Sequence, residues 1–72
     1  MGKCEEMLAE FAATLAIYAN DLQEYRRTKS DIALDASRVR WREADGLRSK
    51  LEAYGCVSGD VSTKLYAILQ AF

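Results

Sequence analysis

The hydrophobic pattern of this chain is densest between residues 7 and 19, where eleven of thirteen residues are apolar. Only Glu10 and Thr14 interrupt this run. Its larger side chains recur at helical spacing and share one face: Leu8, Phe11, Leu15, Tyr18 and Leu22. Alanines extend the apolar surface well beyond that face. The pattern therefore predicts a helix that needs cover on more than one side.

The same spacing of four and three residues runs from Cys4 to Tyr25 and resumes at Ile32, Ala36 and Val39. The interruption is a polar segment, residues 26–31, in which Thr28, Ser30 and Asp31 are all suitable helix N-caps. The chain contains no proline, so nothing forbids helix on either side. We expect one helix over residues 3–28, a turn near Lys29 and Ser30, and a second helix over residues 31–54.

Folding the chain back at this turn brings together residues whose numbers sum to about 58, such as Phe11 with Leu47 and Tyr25 with Ile32. Residues 1–25 carry a net charge of −4 and residues 26–50 a net charge of +4, so an acidic first third would face a basic middle third. Particular pairs expected across the hairpin are Asp21 with Arg38, and Glu10 with Arg48 and Lys50. The same contacts would arise in a domain-swapped dimer of two continuous helices, although a short connection favours the hairpin.

Gly55 suits the left-handed position that ends a helix, and Ser58 or Asp60 can cap a third helix over residues 60–71. Its apolar residues share one face: Val61, Leu65, Ile68, Leu69 and Phe72. This helix is too apolar to be a free tail. The sequence thus predicts one all-α domain, residues 1–72, with a long antiparallel helical hairpin, a short C-terminal helix and assembly into a dimeric helical bundle.

Seventy-two residues bury only a modest share of their surface, roughly 60%, so extra stabilisation is expected. Cys4 and Cys56 are the only cysteines, and without histidine they cannot complete a structural zinc site in one chain. A disulfide would require the chain ends to meet. Because no secretion signal or membrane-length apolar run is present, we expect a cytoplasmic protein with free thiols, stabilised by self-association.

Catalysis is disfavoured by the residue types present. The chain has no histidine to act as a base near neutral pH, and its carboxylates are spread over solvated helix faces. No phosphate-binding loop occurs, and neither cysteine has an evident base beside it. The sequence predicts no enzymatic activity, no cofactor and no metal site.

The most distinctive local feature is Arg38-Val39-Arg40-Trp41-Arg42. Trp41 falls off the face that packs on the first helix, and the surface around it is the expected partner-binding site: Leu34, Arg38, Trp41, Arg42 and Asp45. Tyr66 and Phe72 would extend this surface. One alternative is that Trp41 packs beneath the third helix or a second subunit. Another is that the arginines bind nucleic acid, which the interleaved acidic residues make the weaker hypothesis.

A second surface lies on the first helix, where small residues permit close approach of another helix. The residues expected to form a homodimer contact are Leu8, Ala9, Ala12, Ala13, Ala16 and Ala19. A small chain without chemistry of its own usually acts by binding something larger. The sequence therefore predicts a regulatory interaction protein that binds a protein partner and no membrane, with nucleic-acid binding through Arg38–Arg42 as the alternative.

Overall fold

The computed structural model describes residues 2–71, which form three α-helices and, within that range, no strand. The helices are α1 (Lys3–Thr28), α2 (Asp31–Ala53) and α3 (Gly59–Ala71). Helix α2 ends one residue before the expected boundary and α3 begins one residue before it. Helix α1 packs along α2 and α3 packs on α2, giving an elongated molecule of 39 × 23 × 13 Å. The prediction of an all-helical hairpin with a short third helix is confirmed.

The hairpin turns at the polar segment, without a glycine. Lys29 adopts the left-handed conformation with φ 57°, and its N–H donates to the Tyr25 carbonyl at 2.6 Å. Thr28 supports the turn, because its hydroxyl donates to the Glu24 carbonyl and accepts the Ser30 N–H. Since a lysine pays a steric cost in this conformation, the turn is held by these bonds and by the packing of α1 on α2. The chain therefore folds back on itself.

The second turn follows the pattern of a Schellman motif. Gly55 has φ 72°, its N–H donates to the Glu52 carbonyl, and the Cys56 N–H donates to the Leu51 carbonyl at 2.8 Å. The Ser58 hydroxyl then accepts the Val61 N–H and so caps α3. This sequence of bonds reverses the chain within a few residues and lays α3 back on the hairpin.

A disulfide joins Cys4 to Cys56, with the two Cα atoms 5.4 Å apart. The expectation of free thiols is therefore wrong. The start of α1 and the loop before α3 meet because the hairpin is antiparallel and the Schellman turn directs residue 56 toward α1. Because disulfides persist in oxidising compartments, this bond weakens the basis for expecting a cytoplasmic protein. It also supplies stabilisation that the sequence attributed to self-association.

The core lies at the disulfide end of the hairpin, where α3 covers it. Its buried residues come from all three helices: Met7, Phe11, Ala44, Leu51 and Leu69. Leu15, Trp41, Leu47, Cys56, Val57 and Leu65 pack around them. Ala44 and Leu51 have no exposed surface. None of the helices between residues 2 and 71 has the length and apolarity required to cross a bilayer.

The expected rotation of α2 is wrong in its first half. The pattern places Ile32 and Val39 on the face toward α1, yet they are 83% and 52% exposed, and Ser37 is buried there instead. In the second half, Ala44 and Leu51 are buried, as folding the chain back at the turn predicts. On α1, Leu8 is 41% exposed although it belongs to the apolar face. The turn breaks the helix, so the phase of α2 is set by its own packing and not by continuation of the α1 pattern. The Ser37 hydroxyl donates to the Leu34 carbonyl, which permits its burial.

Two of the expected ion pairs across the hairpin are replaced by local ones. Arg38 lies 3.8 Å from Asp35 instead of pairing with Asp21, and Arg48 donates to Asp45 at 2.9 Å instead of pairing with Glu10. Both pairs join residues three positions apart on α2, whose spacing brings such side chains together. These ion pairs thus join neighbours on one helix and do not link α1 to α2.

Candidate functional site

An open groove lies between α1 and α2 on the edge of the hairpin near the Lys29 turn. The cavity has a volume of about 260 Å³. Its walls are formed by seven residues: Tyr18, Leu22, Leu34, Ser37, Arg38, Trp41 and Arg42. We call this the turn groove. Apolar side chains and a buried serine form its floor, and two arginines border it on the α2 side.

Helical spacing accounts for the composition of the turn groove. Tyr18 and Leu22 are one turn apart on α1, and Leu34, Arg38 and Trp41 follow one another at steps of four and three on α2. Tyr18 is buried, whereas Leu22 and Leu34 are half-buried. Apolar surface on the two leucines therefore remains open to a ligand or partner.

Trp41 separates the turn groove from α3. Its indole N–H donates to the Leu69 carbonyl at 3.3 Å, and its ring meets the Tyr66 ring edge-on at a centroid distance of 6.2 Å. The alternative that Trp41 packs beneath the third helix is therefore correct for one side of the indole, while the other side lines the groove. Truncating Trp41 would disturb the seat of α3 as well as any partner site.

The arginines of the turn groove are weakly compensated. Arg38 and Asp35 are 66% and 76% exposed in their side chains, so their contact contributes little. Arg42 is exposed and, within residues 2–71, has no ion pair. Burial raises the pKa of the Tyr18 hydroxyl, and the charge of Arg26 opposes that rise. A third guanidinium therefore acts electrostatically on the α1 wall.

Asp45 does not belong to this groove, although the sequence grouped it with Arg42. It pairs with Arg48, whose guanidinium also donates to the buried Ser62 hydroxyl at 2.8 Å and lies over the Tyr66 ring. These contacts fix α3 on α2. Four of the five predicted partner residues thus line the groove, and the fifth holds the third helix. Phe72, the other proposed extension, lies outside the described residues.

Tyr18, Leu22 and Ser37 line the groove without having been predicted as site residues. The apolar pattern placed Tyr18 and Leu22 in contact with α2, which is partly correct, because each contributes to a wall. Identifying them required knowledge of how α2 is rotated about its axis relative to α1, and the sequence pattern predicted this rotation wrongly for the first half of α2. The burial of Ser37 had no sequence signal, since serine on a helix is usually exposed.

The predicted self-association surface is largely open in the structure. Leu8, Ala9, Ala12, Ala13 and Ala16 are exposed and Ala19 is half-buried. Ile17, 45% exposed, lies beside them. This surface differs from the turn groove in charge, because Ala9 and Ala13 line a shallow depression with two glutamates, Glu6 and Glu10, as well as with Lys3.

Metal binding finds no support within the described part of the chain, where no three cysteine, aspartate or glutamate side chains converge. No family model matches the sequence, and neither a curated protein nor a solved structure is significantly similar to it. The turn groove is the candidate site, because it combines open apolar surface with arginines that have little compensation among the described residues.

Proposed function

We propose that this chain is a small, non-enzymatic regulatory protein that binds a larger protein partner through the turn groove. The observation that carries the proposal is the uncovered stretch of hairpin beyond Trp41, where α3 no longer shields the space between α1 and α2. Leu22 and Leu34 offer apolar area there. Arg38 and Arg42 stand beside it with little or no local neutralisation.

The residue types suit a protein contact. Tryptophan, tyrosine and arginine dominate the binding energy of protein interfaces, and a groove between two helices is a common seat for a third helix. A rigid floor lowers the entropic cost of binding, because Trp41 and Tyr18 are already fixed by packing. The partner would complete a hairpin edge that the chain alone leaves half covered.

Nucleic acid is the second candidate, and the geometry disfavours it. Arg40 donates to Glu43 at 2.9 Å, away from the groove, so the three arginines of residues 38–42 do not form one basic surface. A phosphate backbone would also leave the leucine floor unused. We retain nucleic acid as an outcome of the test.

The proposal includes a homodimer through the open face of α1. An exposed row of alanines beside Leu8 and Ile17 is apolar surface that a second copy would cover. Ala13→Glu would then yield a single-chain mass by light scattering at concentrations where the parent protein is a dimer. A parent protein of single-chain mass at 100 micromolar, a concentration on the order of typical weak dimer affinities, would contradict this part of the proposal.

Partner capture tests the proposed function. The tagged protein is used to capture partners from cells that produce it, with and without nuclease, in parallel with an Arg38→Glu/Arg42→Glu variant. The matched control is Lys50→Glu/Lys64→Glu, which makes the same charge change at exposed residues outside the groove. We expect one protein to be retained by the parent and the control and lost by the groove variant. Retention by all three, or loss on nuclease treatment, would contradict the proposal.

A further inference from the structure

We infer that the partner segment in the turn groove is an acidic amphipathic helix, which lies end to end with α3 along the same edge of the hairpin. This inference rests on the proposed function and gives the chemistry of the partner. It requires a groove of helical dimensions, an apolar floor and an excess of positive charge, and each of these is present.

Helix α3 is an example of a helix that packs on this edge of the hairpin. It lies against α2 through Trp41 and Arg48, and near its end the Leu69 carbonyl accepts the indole N–H of Trp41. The turn groove begins on the other side of the same indole. A helix therefore covers this edge of the hairpin on one side of Trp41, and the edge is open on the other side.

The length of the open part sets the size of the occupant. Leu34 and Trp41 are seven residues apart on α2, which corresponds to about 10.5 Å at 1.5 Å per residue. A helix lying over this distance presents two turns. Its contact with Leu22 and Leu34 would involve apolar side chains spaced i, i+4 and i+7.

The charges around the groove determine whether a bound helix should be acidic or basic. Arg38 and Arg42 border the α2 wall, and Arg26 acts on Tyr18 in the α1 wall. The acidic side chain paired with Arg38 is Asp35, through an exposed contact at 3.8 Å. Carboxylates on the flanks of a bound helix would gain charge-assisted hydrogen bonds from the arginines, whereas lysines there would be repelled.

Three synthetic peptides of fourteen residues test this inference. The first carries leucines at i, i+4 and i+7 with glutamates on its flanks, the second replaces the glutamates with lysines, and the third keeps the glutamates and replaces the leucines with serines. Binding is followed through the fluorescence of the single tryptophan, which lines the groove. We expect the first peptide to bind at least about tenfold more tightly than either of the others.

Charge exchange gives the matched control. In Arg38→Glu/Arg42→Glu the preference should invert, so that the lysine peptide binds more tightly than the glutamate peptide, while Lys50→Glu/Lys64→Glu should behave as the parent. Equal binding of the glutamate and lysine peptides would overturn the inference, as would tight binding of the serine peptide. Stronger binding of a single-stranded oligonucleotide than of the first peptide would also overturn it.

The two proposals fail separately. If no peptide binds but the groove variant still loses a captured protein, the acidic helix is wrong and the protein-binding function stands. If the first peptide binds as expected but nothing is captured that depends on the groove, the chemistry of the groove is correct and the regulatory function is wrong.

Discussion

The two halves of the hairpin differ sharply in the burial of their apolar residues. In the half near the disulfide, α3 lies over the helix pair, and Leu51 and Leu69 are almost entirely removed from solvent. In the half near the Lys29 turn, nothing in the described chain takes the place of α3, and Leu22 and Leu34 remain half exposed. Two helices alone cannot enclose a core, so the third helix decides which half becomes interior.

This difference suggests separate roles: the covered half stabilises the fold, and the open half is available for binding. The covered half holds the fully buried side chains and the disulfide, whereas the open half presents apolar surface beside arginines. A surface of this kind is useful to a partner and contributes little to folding. The following predictions test that separation, beginning with the largest effect.

Truncating a leucine in each half should have unequal effects. Leu51→Ala removes a side chain with no exposed surface and should lower the free energy of unfolding by about 2–5 kcal/mol, because transfer and cavity costs both apply. Leu34→Ala removes a half-exposed side chain and should cost about 1 kcal/mol. Urea unfolding followed by circular dichroism measures both. Equal losses would show that the open half is as much a part of the core as the covered half.

Removing the disulfide should weaken the covered half by a comparable amount. The bond joins residues 52 positions apart, and closing such a loop stabilises the folded state by about 2–4 kcal/mol. Cys4→Ser/Cys56→Ser should therefore unfold more than about 10 °C below the parent protein. A reducing agent should lower the melting temperature of the parent and leave the variant unchanged. A parent protein that melts identically with and without reductant would show that the thiols are free.

Tyr18 should make the open half sensitive to alkaline pH. Its pKa is raised by burial, against the opposing charge of Arg26, so the folded state favours the neutral hydroxyl. The resulting stability is present below the pKa of the unfolded tyrosine, about 10, and is lost as pH rises through the higher pKa of the folded state. The free energy of unfolding should fall more steeply above pH 10 in the parent than in Tyr18→Phe. Parallel profiles would contradict this.

A substitution in the turn that ends the open half should stabilise the protein. Lys29 has φ 57°, where glycine avoids the steric cost, although its ammonium also lies over the Tyr25 ring. Lys29→Gly should raise the free energy of unfolding by up to about 1 kcal/mol, since the steric gain exceeds the lost cation–π contact and the added entropy of the unfolded chain. Lys29→Ala, which keeps the steric cost, should be slightly destabilising. A destabilised glycine variant would contradict the account of the turn.

Sequence patterns were sufficient to predict the positions of the three helices and of both turns. The polar segment before Ile32 and the glycine at residue 55 are local signals, and each end of a helix depends mainly on its neighbours in sequence. The pairing of Cys4 with Cys56 depended instead on a distance across the fold. The same limit applied to the rotation of α2, which placed Ser37 inside and Val39 outside.

The candidate site was predictable only where its residues lie on a single helix. Leu34, Arg38, Trp41 and Arg42 share a helix face, which their spacing shows directly. The contribution of Tyr18 and Leu22 depends on how α1 and α2 are rotated against each other. Asp45 shares the face with Arg42 but lies further along α2, where α3 covers the edge, so its bond to Arg48 belongs to a contact that spacing alone cannot locate.

Amide NMR of the isotope-labelled protein, titrated with the acidic leucine-containing peptide, tests most directly whether the open half is the binding half. The account predicts shift changes concentrated at Tyr18, Leu22, Leu34 and Arg42, with little change at Leu51 and along the alanine face of α1. Changes centred on that alanine face, or spread evenly over both halves, would contradict it.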